Sequence, residues 1–212
     1  MERKYIDYFS SLIKKKVIPV GPLVQHPISK YQRLEAIEWL AKKNHSSTLF
    51  VSFGSEFPVG DETKVEEALP EGFLDRVRDR GMIINGWAPQ AKILTHSSLG
   101  GFVSQSEWNS VMEIIEFGVP IIAIPMHCDQ QPLNARLVVD IGLGMEVRRD
   151  YCEKLHGEEV AKVIKDVILD NKGEDMRRKA RELRENIRLK GEEEINVAVG
   201  EISQLCHKSK AQ

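Results

Sequence analysis

Short β-branched apolar runs alternate along the chain with segments whose apolar residues recur every three or four positions. That alternation marks βαβ units on a parallel sheet, so the expected class is α/β. KVIPVGPL (16–23) and STLFVSFGS (47–55) read as strands on either side of a helix at 31–43, where Leu34, Ile37, Leu40 and Ala41 share one apolar face. MIING (82–86) reads as the next strand, QAKILTH (90–96) as a helical turn and GGFVS (100–104) as a strand. WNSVMEIIEFG (108–118) follows as a helix stopped by Gly118, then VPIIAIP (119–125) as a buried strand. QPLNARLVVDIG (131–142) reads as a helix and MEVRR (145–149) as a strand. Helices are expected near 157–170, 174–190 and 193–207, the last within a C-terminal helical segment at 191–212.

Open parallel sheets bind ligands beyond the carboxyl ends of their strands, in the loops that lead into the helices. Here those loops are SFGS, NGWAPQ, VSQSEWNS and IPMHCDQ, and all four open on the same edge. A helix N-terminus offers unpaired N–H groups and a partial positive charge, so Asn109 and Ser110 suit an anion. Glu107 sets a carboxylate at that same spot.

Composition narrows the classes of partner. Thirty basic against thirty-two acidic residues leave a net charge of −2 with no basic stripe, which argues against nucleic acid. The longest apolar stretch, GVPIIAIPM, is too short to span a bilayer and holds two prolines, so no stable membrane insertion is expected. MERKYIDYFSSLIKKK lacks the apolar centre and cleavage site of a signal peptide, and the expected location is the cytoplasm. Cys128, Cys152 and Cys206 are widely spaced and imply neither a disulfide framework nor a zinc site.

The stretch WAPQAKILTHSSLGGFVSQSEWNSVMEIIEFGVPIIAIPMHCDQ, from Trp87 to Gln130, resembles the 44-position signature box of plant UDP-sugar-dependent glycosyltransferases. A tryptophan, a WNS-x-x-E core, a GVP turn and a terminal Asp-Gln in register over that length are far more specific than a lone glycine motif. VGPL, SFGSE, ALPEGF and the NAR helix extend the resemblance over nearly the whole chain, closest to members that add a sugar to an existing glycoside. The resemblance implies a Rossmann-like parallel sheet flanked by helices, the C-terminal, donor-binding half of a GT-B glycosyltransferase. Residues 1–212 are then one UDP-sugar-binding domain, without the N-terminal acceptor domain.

By the same resemblance, Trp87, with Ala88 beside it, stacks on uracil, and Gln90 and Glu113 bond the ribose hydroxyls. Ser55, Asn109 and Ser110 fall at the diphosphate; Trp108, Asp129 and Gln130 fall at the sugar hydroxyls. Elementary chemistry agrees, since a planar indole suits a base and a carboxylate accepts from vicinal hydroxyls. The UDP-sugar is a co-substrate, glucose being suggested by Gln130; neither cofactor nor metal is implied. A small-molecule acceptor enters only if an N-terminal domain is supplied.

Three departures stand out. The family's His-Cys-Gly before WNS is here Gln105-Ser106-Glu107. Gln105 can donate to a diphosphate but cannot become charged, and Glu107 adds bulk and negative charge. A like charge at ~6 Å costs roughly 3 kcal/mol at an effective dielectric of about 20, so weak donor binding is expected unless Glu107 turns to solvent or is protonated. Next, residues 56–80 supply only one short helix where the family has a helix and a strand, which predicts a sheet short of one βα unit. Lastly, no residue takes the role of catalytic base. Two readings follow: the donor half of a transferase, or a non-catalytic relative that binds nucleotide or protein.

Overall fold

The computed structural model describes residues 3–19, 34–52, 69–84, 86–126 and 130–210. Among them, β1 (Thr48–Ser52), β2 (Leu99–Ser104), β3 (Ile121–Ala123) and β4 (Gly144–Glu146) form one parallel sheet in that order. The helices are α1 (Arg3–Ile13), α2 (Leu34–Ala41), α3 (Phe73–Val77), α4 (Gln90–Leu94), α5 (Trp108–Phe117), α6 (Gln131–Asp140), α7 (Gly157–Ile168) and α8 (Asn171–Lys210). The expected α/β class, a parallel sheet flanked by helices, is therefore present. No helix among the described residues is long and apolar enough to cross a membrane.

The chain divides into two compact units, Val24–Arg181 and Met1–Leu23 with Glu182–Gln212. In the first, every residue of β2 is buried because both faces of the strand are covered. Gly100 lets the chain come close there: a Cβ on it would lie 2.2 Å from the Ser46 carbonyl oxygen and 2.9 Å from Ile168 Cδ1. Phe102 stacks on Phe50 across the β1–β2 ladder at 5.1 Å between ring centres. Val103, Ile122, Ile124 and Val147 from the sheet pack on Val163 and Val167 of α7. Arg177 Nη1 donates to the Gly100 carbonyl at 2.9 Å, tying the start of α8 to the start of β2.

α5 forms because its apolar positions Val111, Ile114 and Ile115 share one buried face. Gly118 ends it at φ 70°, a left-handed conformation that costs glycine nothing, with its N–H on the Ile114 carbonyl at 2.9 Å. α6 buries Gln131, Asn134, Ala135 and Val138, again a single helical face, although two of the four are polar. These two helices carry the loops after β2 and β3 down to the carboxyl edge of the sheet.

The other unit holds α1 and the C-terminal part of α8, joined by an ion pair between Lys16 and Glu201. Tyr5, Tyr8, Phe9 and Leu12 lie one helical face apart on α1 and are exposed. Ile195, Val199 and Ile202 form a second exposed apolar stripe on α8.

Several expectations are corrected. Of the strand expected at 16–23, residues 20–23 lie outside the described residues and 16–19 are not a strand: Pro19 has no N–H to give a ladder, and Val17 N–H donates to Ser10 Oγ at 3.2 Å instead. Among the described residues, 82–84 form no ladder bonds either; Met82 and Ile84 line a small cavity with Leu49, Phe50 and Ile93. The separate helices at 174–190 and 193–207 are one, α8. Gly191 costs only about 1 kcal/mol in a helix interior, and the Arg188–Glu192 pair at 3.8 Å bridges it. α1 is a further element beyond those expected, and its 5, 8, 9, 12 spacing is helical. Of the segment 56–80, residues 56–68 lie outside the described residues and 69–80 hold the short helix α3.

Candidate functional site

The loops beyond β2 and β3 meet at the carboxyl edge of the sheet, with the segment 86–90 leading into α4 beside them. Gln90 opens α4, and its Nε2 donates to the carboxylate of Glu113 on α5, a short hydrogen bond between residues 23 positions apart. Burial holds Glu113 above the usual carboxylate range, partly offset by that amide. Trp87 lies just before this pair and is 72% exposed, an indole left open to solvent three residues from Gln90. The half-buried Ala88 gives its carbonyl to the Gln90 N–H at 2.8 Å and so shapes the turn between them. A vicinal diol would find a carboxylate and an amide here, and a flat base would find an aromatic face.

Asn109 and Ser110 stand in the first turn of α5, exposed and half-buried respectively, and Trp108 at its first position is 40% exposed. Gln105 behaves otherwise. It is 1% exposed, and neither of its amide atoms has a hydrogen-bond partner among the described residues. Ser106 after it takes φ 68°, an uncommon conformation for a serine that costs about 1 kcal/mol or more. Two bonds hold it there: its N–H on Ser104 Oγ at 3.2 Å and its carbonyl under Asn134 Nδ2 at 2.9 Å. Ser55 and Asp129 lie outside the described residues.

Glu107 corrects the expectation of a free carboxylate facing an anion. Its Oε2 accepts from Gln130 Nε2 at 3.1 Å and its Oε1 from Gln131 Nε2 at 2.7 Å. The charge is drawn toward the first turn of α6, where two amide donors share it. Gln130 itself is exposed, whereas Gln131 is fully buried and accepts the Met126 N–H at 2.8 Å. Gln131 and Asn134 were absent from the expected site. Their signal was their place on the buried face of α6, where polar side chains require partners.

The family model for "UDP-glucoronosyl and UDP-glucosyl transferase" matches residues 68–180. Mogroside IIIx synthase of Siraitia grosvenorii is 49% identical over 238 residues, covering 97% of this chain and 50% of that protein. Beta-D-glucosyl crocetin beta-1,6-glucosyltransferase of Gardenia jasminoides is 44% identical, covering 97% of this chain and 53% of its own. Among solved structures, UGT2 of Phytolacca americana, complexed with UDP-2fluoro-glucose and pterostilbene, matches with TM-score 0.70 and 32% identity over 82% of this chain and 42% of that one. The chain thus spans about half the length of the curated relatives it matches. It belongs to the UDP-glucoronosyl and UDP-glucosyl transferase family, among the plant glycosyltransferases that include glycoside-extending types, and carries the C-terminal half of their GT-B fold.

Proposed function

We propose that this chain is the donor-binding half of a glucosyltransferase that moves glucose from UDP-glucose to a hydroxyl of a small glycoside, with inversion. The observation that carries the reading is the hydrogen bond between Gln90 and Glu113, with the exposed Trp87 three residues before Gln90 in the chain. An acceptor hydroxyl oxygen attacks the anomeric carbon as the bond to UDP breaks, and the hydroxyl proton passes to a base. The N–H groups at the start of α5, near Asn109 and Ser110, stabilise the charge that develops on the leaving diphosphate. Trp108, Gln130, Ser55 and Asp129 complete the donor set in this reading. The base and the acceptor pocket come from a second half, and the exposed apolar stripes of α1 and α8 are the surface we assign to it. Such a second half, on a longer chain or another subunit, matches the share of the relatives that this chain does not cover.

UDP added to the chain is expected to quench tryptophan fluorescence, and Glu113→Ala to remove most of the response, because the ribose hydroxyls lose a charged acceptor worth roughly 1.5–3 kcal/mol. An undiminished response in that variant rules out the ribose role of Glu113. The titration has a sign. Glu113 accepts best when ionised and its ionisation sits higher than for an ordinary glutamate, so UDP affinity should fall as pH drops from neutrality through that raised value. Glu113→Gln should flatten this profile. A profile unchanged in Glu113→Gln assigns the dependence to another group, such as the phosphates.

A further inference from the structure

Glu107 crosses from one loop of the site to the next. We propose that it is a positioning residue for the donor sugar, fixing the first turn of α6 and presenting the Gln130 amide to the hydroxyls of a UDP-bound hexose. The inference rests on the donor-binding reading above and names what the carboxylate does within it.

Three bonds join the loop after β2 to the start of α6. Glu107 takes the side-chain amides of two successive residues, Gln130 at 3.1 Å and Gln131 at 2.7 Å, one on each oxygen. Asn134 Nδ2 donates back to the Ser106 carbonyl at 2.9 Å. Gln131 uses its other end to hold the Met126 N–H at 2.8 Å, so the link reaches the chain leaving β3. Bonds to an ionised acceptor are about twice as strong as neutral ones, and an acidic side chain can serve two amides at once. Glycine at this place would supply no side-chain acceptor to either.

The two glutamines differ in use. Gln131 is fully buried, and its role is internal. Gln130 is exposed, and an amide held through one N–H still has an acceptor oxygen and a second N–H for hydroxyl groups. A long side chain restrained before the ligand arrives loses less rotamer freedom on binding, which is the gain that preorganisation brings. The carboxylate that looked like a barrier to phosphate is, on this geometry, a brace for the sugar subsite.

The test is the ratio of UDP-glucose to UDP affinity, measured by calorimetry on the chain as it stands. Glu107→Gly is expected to lower that ratio about fivefold or more while changing UDP affinity about twofold or less. Glu107→Gln keeps an acceptor oxygen and should retain part of the ratio. Combining Glu107→Gly with Gln130→Ala should lower it no further than Gln130→Ala alone, because the two act through one amide. Equal tightening of UDP and UDP-glucose in Glu107→Gly means that the carboxylate only repels phosphate; equal weakening means that it only holds the fold; either overturns the proposal, as does an additive double variant. Wild-type chain that binds neither ligand contradicts the donor-binding function instead, so the two failures are told apart.

Discussion

Given UDP-glucose and a glycoside acceptor, the purified chain alone is expected to form no glycoside above background, and co-production with the N-terminal half of a full-length relative is expected to restore turnover. The reason is partition of the chemistry. In the proposed reading, donor binding, leaving-group stabilisation and sugar orientation fall to Trp87, Gln90, Glu113, the start of α5 and Gln130, and no residue among them takes the proton of the attacking hydroxyl. General-base assistance alone is worth ~10²–10⁴-fold, and loss of acceptor positioning removes a further large factor. Charged substitutions on the α1 stripe, Tyr8→Lys with Leu12→Glu, should weaken the restored activity at least tenfold, since both residues are exposed and apolar. UDP affinity of the chain should be untouched by them. Sustained transfer by the chain free of other proteins sinks this partition, and restoration indifferent to the α1 variants moves the docking surface elsewhere.

A second large effect is expected in the core. Gly100→Ala should destabilise the sheet unit by about 3 kcal/mol, the upper end of ordinary overpacking. The new Cβ would lie 2.2 Å from a backbone oxygen, that of Ser46, and no rotamer change can relieve a clash with backbone. Ser46 is already at φ 53°, which limits how the chain there can move. Gly157→Ala is the control: nothing lies within 4 Å of its added Cβ, and the change should stay within about 0.5 kcal/mol. Urea unfolding followed by far-UV circular dichroism separates the two, and similar midpoints for both variants would mean that β1 and β2 approach less closely than described.

What the sequence disclosed depended on how local each feature is. α5 was legible from end to end, since an apolar stripe, a polar first turn and Gly118 all lie within eleven residues. The strands at 99–104 and 121–123 were legible because full burial leaves continuous apolar runs. Residues 82–84 show the limit of that signal: Met-Ile-Ile is apolar, but a strand also needs a neighbour to meet its N–H and C=O groups, and none among the described residues pairs with it. α8 shows another limit, for Gly191 looks like a breaker, yet one glycine in a helix interior costs only about 1 kcal/mol and a helix of 40 residues runs through it. The Gln90–Glu113 pair came into view through a resemblance in register, and the structure brings those two side chains into contact. The partners of Glu107 were not legible. They lie 23 and 24 residues away, and nothing local to Gln105-Ser106-Glu107 reveals that the first turn of α6 returns to it. Read alone, the carboxylate was a charge in the wrong place, and only the position of α6 gives it donors.

Calorimetric titration of UDP-glucose into the purified chain tests the central claim most directly. The account predicts saturable binding of one ligand per chain, lost in Glu113→Ala while the circular dichroism spectrum is unchanged. A folded chain that shows no saturable heat up to millimolar UDP-glucose, or a Glu113→Ala variant that binds as well as the original, would contradict it.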